Sequence, residues 1–170
     1  MNKGFTLFEA MVVLFIMAVL SVLILWNFRS GQDNAVLTRA TAAFETELRR
    51  VQNLAIVSTD FQGTTPCGYG LSYQDNRTFT VYVGFKGGAA DCRSSNHNHE
   101  SGIDTYIQTM KIIDPAVVFK NSFSDIFFEP PDPTFYINNS RASGVFATVQ
   151  FCLEKDLAIC RDLTIDTAGR

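Results

Sequence analysis

The chain begins with a long uncharged segment that has a single carboxylate at its edge. Residues 10–28 are a run of 19 residues without an acidic or basic side chain, and Glu9 immediately precedes them. Residues 5–26, as a helix with a rise of about 1.5 Å per residue, would extend about 33 Å, enough for the hydrocarbon core of a bilayer. A chain in lipid must satisfy its backbone hydrogen bonds internally. The segment therefore predicts one apolar α-helix.

Glu9 has two interpretations. The segment Thr6-Leu7-Phe8-Glu9 has the spacing of a capping box, which closes the start of a helix. Alternatively, Glu9 meets a new α-amine at Phe5 that is created by cleavage after Gly4, in its own chain or in a neighbouring subunit. Such a cation would stabilise a carboxylate near a membrane interior. Both interpretations remain open on the spacing alone.

Other kinds of N-terminal segment fit less well. A signal peptide has a shorter apolar core and a small-residue cleavage site, whereas Leu23-Ile24-Leu25-Trp26 has no such site. An ordinary single-span anchor is the simpler alternative. Lys3 and Arg29 lie on opposite sides of the segment, so charge bias does not decide its orientation.

The N-terminal segment Gly4-Phe5-Thr6-Leu7-Phe8-Glu9-Ala10 resembles the class III signal of type IV pilins and type II secretion pseudopilins. The common form has Leu or Ile where this chain has Phe8. In that family a membrane peptidase cuts between the Gly and the Phe, and the new amine is methylated. The resemblance implies cleavage between Gly4 and Phe5, methylation of Phe5, and a role for Glu9 in assembly through charge pairing.

The resemblance also implies partners and a location. The partners are a prepilin peptidase/N-methyltransferase, other pilin or pseudopilin subunits contacted through the N-terminal helix, an inner-membrane assembly platform, and lipid before assembly. The precursor would be a single-pass inner-membrane protein with an extracytoplasmic C-terminal domain. It would later enter a pilus or pseudopilus at the cell surface or in the periplasm.

The second part of the helix is expected to be amphipathic. Apolar residues recur in steps of three and four at Leu37, Ala40, Phe44, Leu48, Val51 and Ala55. Such a stripe is expected to pack on a sheet from the same chain. The expected segments are a leader peptide at 1–4, a membrane or filament-core helix at 5–28, the amphipathic half of the helix at 29–58, and an ectodomain at 59–170.

From Gly63 onward, short β-prone runs alternate with turn signals. Strands are predicted at 67–73, 78–85, 105–113, 117–120, 126–129, 134–137, 145–154 and 161–167. Residues 86–102 are expected to be a solvated polar loop. The fold class is therefore α+β, with a long N-terminal α-helix packed on a C-terminal antiparallel β-sheet. The pilin resemblance implies the same arrangement.

The resemblance extends to a subgroup through weaker matches. Residues 48–55 and the C-terminal run 163–170, which ends in Gly-Arg, look like the GspH/FimT group of minor pseudopilins. Trp26 occupies the membrane end, where major pilins usually have a helix-kinking Pro. This residue favours a minor subunit or a pseudopilin.

The four cysteines, Cys67, Cys92, Cys152 and Cys160, all follow the apolar segment. Four cysteines allow three pairings, and disulfides are expected if this side is extracytoplasmic. The favoured pairs are Cys152–Cys160, which closes a short hairpin, and Cys67–Cys92, which ties a loop to the first strand. Four buried free thiols are the alternative.

The rest of the chain shows no arrangement typical of an enzyme. It contains no nucleophile elbow, phosphate-binding Gly loop or zincin motif. No cofactor is expected, and no metal site is predicted. Metal-ligand atoms are offered by His97, His99 and Glu100, with Asp91 and Cys92 nearby. A transition-metal site would need more ligands that converge. Two groups of acidic residues lack the spacing of a calcium loop. The first is Asp125, Glu129 and Asp132, and the second is Asp162 and Asp166.

DNA binding is a second possible function. The chain has 14 Lys and Arg against 17 Asp and Glu, a net charge of −3, which does not indicate general affinity for nucleic acid. Arg161 and Arg170 are the candidate DNA contacts, although Asp156, Asp162 and Asp166 lie around them. Three hypotheses follow: a structural filament subunit, a minor pilin whose ectodomain binds DNA or a surface ligand in natural transformation or adhesion, and an anchored domain that does not polymerise.

Overall fold

The computed structural model describes residues 7–57, 60–130 and 134–167, except for the side chains of 24–30. It contains one long helix followed by strands. The elements are α1 (Leu7–Val57), β1 (Gly68–Tyr73), β2 (Thr78–Gly84), a 3₁₀ turn (Cys92–Ser94), β3 (Thr105–Lys111), β4 (Val117–Phe119), β5 (Ile126–Glu129), β6 (Thr134–Ile137), β7 (Phe146–Leu153) and β8 (Asp156–Asp166). The chain divides into two units, residues 1–36 and 37–170. The α+β class is confirmed.

Helix α1 is continuous over 51 residues and passes through Gly31 without a break. It contains no Pro, which explains why nothing interrupts its backbone hydrogen bonds. The predicted single helix is thus present over the part that the structure describes. The first two and the last of the predicted residues, Phe5, Thr6 and Ser58, fall outside that part.

The strands form two antiparallel sheets, where the sequence predicted one. The first has the order β3-β2-β1-β5-β6, and the second has the order β4-β7-β8. The chain turns between β3 and β4, where the Asp114 carboxylate accepts a hydrogen bond from the Ala116 N–H at 3.0 Å. Strand β4 then pairs with β7, and Val117 lies opposite Leu153. A three-residue strand carries too little pattern to reveal which sheet it joins.

The β7–β8 hairpin is longer than predicted. Strand β8 begins at Asp156, five residues before the predicted start at Arg161. The cause is the register, in which Cys152 lies directly opposite Cys160 and Leu153 opposite Asp156. Pairing therefore continues to a tight turn at residues 154–155.

An aromatic cluster around Phe44 joins the helix to both sheets. The Phe44 ring makes edge-to-face contacts with Phe79 of β2, Phe119 of β4 and Phe151 of β7, with centroids 5.0–6.1 Å apart. The predicted apolar stripe is buried at Leu37, Ala40, Phe44, Val51 and Ala55, all at most 4% exposed. Leu48 is only half-buried. The stripe prediction is confirmed at the other five positions.

Candidate functional site

The N-terminal part of α1 exposes an apolar surface on all sides. Every side chain of residues 7–23 is exposed, and the large apolar ones range from 41% for Val12 to 88% for Leu7. Burying one large aliphatic or aromatic side chain is worth about 1.5–3 kcal/mol. A contiguous apolar surface of this extent marks an interaction site. The segment therefore requires an apolar environment that the rest of its own unit does not supply.

Ser21 carries the one hydroxyl group among these described side chains, and this group is hydrogen-bonded within the helix. Ser21 Oγ donates a hydrogen bond to the carbonyl oxygen of Met17 at 2.7 Å. A neighbour packed against this face would thus meet methyl and methylene groups. Over the residues that the structure describes, no helix is both long and apolar enough to qualify as a membrane span.

Glu9 lies in the first turn of α1 and is exposed. A carboxylate at this position is favoured by the partial positive charge of the helix N-terminus. Gly4 and Phe5, the predicted cleavage and methylation residues, precede the described part of the chain, and so does Thr6 of the capping box. Cleavage, methylation and charge pairing therefore stay predictions.

The structure forms both favoured disulfides. Cys67, buried just before β1, is bonded to Cys92 in the 3₁₀ turn. Cys152 of β7 is bonded to Cys160, its cross-strand partner in β8. The first disulfide fixes the 86–102 loop to the five-stranded sheet, and the second closes the tip of the β7–β8 hairpin.

The 86–102 loop is folded onto the sheet, so the prediction that it is solvated is wrong for its centre. His97 is only 2% exposed and Ser95 8%. The Tyr82 hydroxyl donates to the carbonyl oxygen of His97 at 2.9 Å. Burial, followed by the charges of Asp125 and Asp104, raises the pKa of Tyr82 well above its ordinary value. The Tyr82 phenol therefore stays protonated and remains a hydrogen-bond donor to the His97 carbonyl oxygen.

His97 is held against the β5–β6 hairpin. Its ring stacks on the Tyr136 ring with centroids 3.6 Å apart, and the Tyr136 hydroxyl donates to Glu129 Oε2 at 2.8 Å. Burial, followed by the hydrogen bond to Glu129, raises the pKa of Tyr136. Sequence reasoning missed this cluster because polar residues about 40 positions apart give no local signal. The only hint was Asn138-Asn139, since Asn tolerates the positive φ that both residues adopt.

Three of the candidate metal ligands have structural roles. Asp91 caps the 3₁₀ turn by accepting from Ser94, and Cys92 is in a disulfide. Asp125 accepts from the backbone N–H of His99 at 2.9 Å. Asp132 belongs to the segment 131–133, which the structure does not describe. Within the described ranges, no group of three or more His, Cys, Asp or Glu side chains is placed to hold a metal ion.

Of the two candidate DNA contacts, only Arg161 lies in the described part of the chain. Arg161 Nη1 donates to Thr38 Oγ1 at 3.1 Å and so ties β8 to the helix. Arg170 follows the last described residue. Strand β8 also contains Asp156, Asp162 and Asp166, so the charge along it is not basic.

A family comparison bears on the N-terminal segment. Residues 1–25 match the family described as "Prokaryotic N-terminal methylation motif". The chain carries the N-terminal signature of type IV pilins and pseudopilins. This motif implies a membrane-anchored precursor that is processed by prepilin peptidase and assembled with other pilins. It indicates a structural subunit rather than an enzyme. No curated protein and no solved structure matches the chain.

Proposed function

We propose that this chain is a minor pilin or pseudopilin, cleaved after Gly4, methylated at Phe5 and assembled into a type IV pilus or type II secretion pseudopilus. One observation carries the proposal. The methylation motif at residues 1–25 includes the helical segment 7–23, whose described side chains are all exposed and almost all apolar. A signal for processing and a surface for assembly thus occupy the same segment.

The apolar helix occupies two environments, first the membrane and then the filament. In the precursor, residues 5–28 anchor the chain in the inner membrane as a single pass. In the filament, the helices of neighbouring subunits surround the same side chains. Lipid tails and aliphatic side chains are similarly apolar, so this exchange requires no exposure of the helix to water. The two disulfides support an extracytoplasmic ectodomain.

Glu9 sets the register of the assembly in this proposal. Its carboxylate pairs with the Phe5 amine of a neighbouring subunit, and the pair neutralises two charges in an apolar core. Breaking a buried ion pair by removing one partner is strongly destabilising. The pairing therefore favours one axial position of each helix over the others.

The minor-subunit and GspH/FimT assignments have their support in the sequence. Trp26 stands where major pilins usually have a Pro, and residues 163–170 end in Gly-Arg, as in that group.

The experiment compares isogenic cells with and without prepilin peptidase. We expect the chain in the sheared or purified filament fraction only when the peptidase is active, and in the inner-membrane fraction otherwise. Retention in the membrane with an active peptidase and an assembled filament would contradict the proposal and support an anchored domain that does not polymerise.

A further inference from the structure

The hydrogen bonds of Asn139 fix which nitrogen of His97 carries a hydrogen. Asn139 Oδ1 accepts from the backbone N–H of His97 at 3.0 Å and lies 2.9 Å from His97 Nδ1. A backbone amide only donates, so the Asn139 atom that faces it is the oxygen. That oxygen leaves Nδ1 only the role of donor. In a neutral ring the lone pair is therefore on Nε2.

His97 Nε2 is buried and has no hydrogen-bond partner in the described chain. Its ring is stacked on Tyr136, and the edge of Phe127 lies against it with centroids 5.2 Å apart. Nε2 lies 4.0 Å from Glu129 Oε2. That oxygen already accepts from Tyr136, so two shielded acceptors face each other with no donor between them. An arrangement of this kind is unfavourable in an environment from which water is excluded.

We infer that His97 and Glu129 form a buried proton-binding site, in which one proton is held between Nε2 and Oε2. The proton converts two opposed acceptors into a donor and an acceptor. A small side-chain rotation shortens the 4.0 Å separation to the length of a charge-assisted hydrogen bond. The inference holds whether the proton resides on the imidazole or on the carboxyl group, and it does not depend on the proposed function.

Several other titratable groups surround this pair. Tyr136 donates to Glu129, and the cation of Arg141 lies close enough to act on the Tyr136 phenol. The Tyr82 hydroxyl donates to the His97 carbonyl oxygen. After burial, the charges of Asp125 and Asp104 also raise the pKa of Tyr82.

The proton has a structural consequence. His97 lies in the 86–102 loop, and Glu129 lies in β5. The shared proton therefore links the loop to the sheet, as the Cys67–Cys92 disulfide also does. The folded cluster binds a proton that the unfolded chain releases. The free energy of unfolding must therefore fall as the pH rises through the range in which the site empties.

The first test is the tautomer of His97. The full-length chain in detergent micelles is labelled with ¹⁵N-histidine, and long-range ¹H–¹⁵N correlation spectra distinguish the two ring nitrogens. The chain has only two histidines, so the H99Q variant assigns the signals. We expect hydrogen on Nδ1 of His97 at every pH. A ring with Nε2–H and unprotonated Nδ1 would overturn the inference.

The second test compares the wild-type chain with the E129Q variant by thermal unfolding at about pH 6.5 and about pH 8.5. The side-chain amide that this substitution introduces supplies the missing donor without a bound proton. We expect the wild-type Tm to fall by about 3 °C between the two pH values, and the E129Q Tm to stay level.

The matched control is E100Q, which changes a carboxylate of the same loop that accepts from Asn96 at 2.8 Å. It should keep the wild-type pH dependence. If E129Q also keeps that dependence, the proton is not held between His97 and Glu129, and the inference fails.

Discussion

At the scale of single residues, the proposed assembly depends on Glu9. Glu9→Ala should leave membrane insertion intact and reduce incorporation into filaments. In the proposed filament, its loss would leave the Phe5 amine of a neighbouring subunit without a partner. An unpaired buried charge costs about 3 kcal/mol or more, which corresponds to about a hundredfold. Quantitative immunodetection of the filament fraction measures the effect.

Two variants serve as controls for Glu9. Glu9→Gln keeps the size of the side chain and removes its charge, so it should fail as well. Glu45→Ala removes an exposed carboxylate that pairs with Arg49 on the surface of the same helix, and it should assemble normally. Normal incorporation of the Glu9→Ala variant would argue against charge pairing.

Asp75 stabilises the turn between β1 and β2. Hydrogen bonds from Thr78, followed by the bond from the backbone N–H of Arg77, lower its pKa. This stabilisation is present above the ordinary pKa of aspartate and is lost as the pH falls through the lowered folded value. Solvent screens this exposed carboxylate, so Asp75→Ala should lower the free energy of unfolding by only about 0.5 kcal/mol at neutral pH. The difference should vanish in acid.

Denaturant unfolding at several pH values tests this prediction, with Asp162→Ala on the exposed part of β8 as the control. A pH-independent difference between the wild-type and Asp75→Ala chains would contradict the role of the ionised carboxylate.

Local chemistry explains which residue roles could be predicted. The hairpin turn around Asp75 follows from neighbouring residues, and the sequence predicts it. The burial of His97 depends on Glu129, Tyr136 and Asn139, which are distant in sequence, and the polar character of 86–102 suggests the opposite. Composition describes what a loop contains but not what covers it.

At the scale of elements, the Phe44 cluster holds the helix to both sheets. Phe44→Ala removes a ring that is 3% exposed and should lower the free energy of unfolding by about 3–5 kcal/mol. Val57→Ala, at a position of α1 that is 72% exposed, should change it by less than about 0.5 kcal/mol. Denaturant unfolding of both variants in micelles provides the measurement, and equal effects would contradict the assigned core.

The two disulfides should contribute unequally. Cys67–Cys92 closes a separation of 25 residues and Cys152–Cys160 one of 8. Loop-closure entropy predicts a loss of about 3.5 kcal/mol when both cysteines of the first are changed to serine, and about 2.5 kcal/mol for the second. Chemical denaturation compares the two double variants, and a larger loss for Cys152–Cys160 would contradict this ordering.

Element boundaries were predictable where the pattern is local. The helix, β5 and β6 follow directly from periodicity and turn residues. The partner of β4 and the start of β8 do not, because both are set by pairing with β7. Strand register is decided by the partner strand, which a local pattern does not contain.

At the scale of the whole molecule, the α+β class could be predicted because a long helix precedes short strands with little mixing. The processing motif could be predicted as well, since it is a contiguous run of residues. The existence of two sheets could not be predicted, because strands of three and four residues are too short to specify which sheet they join.

The central claim is that the first four residues are removed and the new N-terminus is methylated. Mass spectrometry of the N-terminal peptide, from chain purified out of cells with an active prepilin peptidase, tests it directly. The account predicts a peptide that begins at Phe5 and carries one methyl group on its amine. A peptide that still begins at Met1 would contradict it.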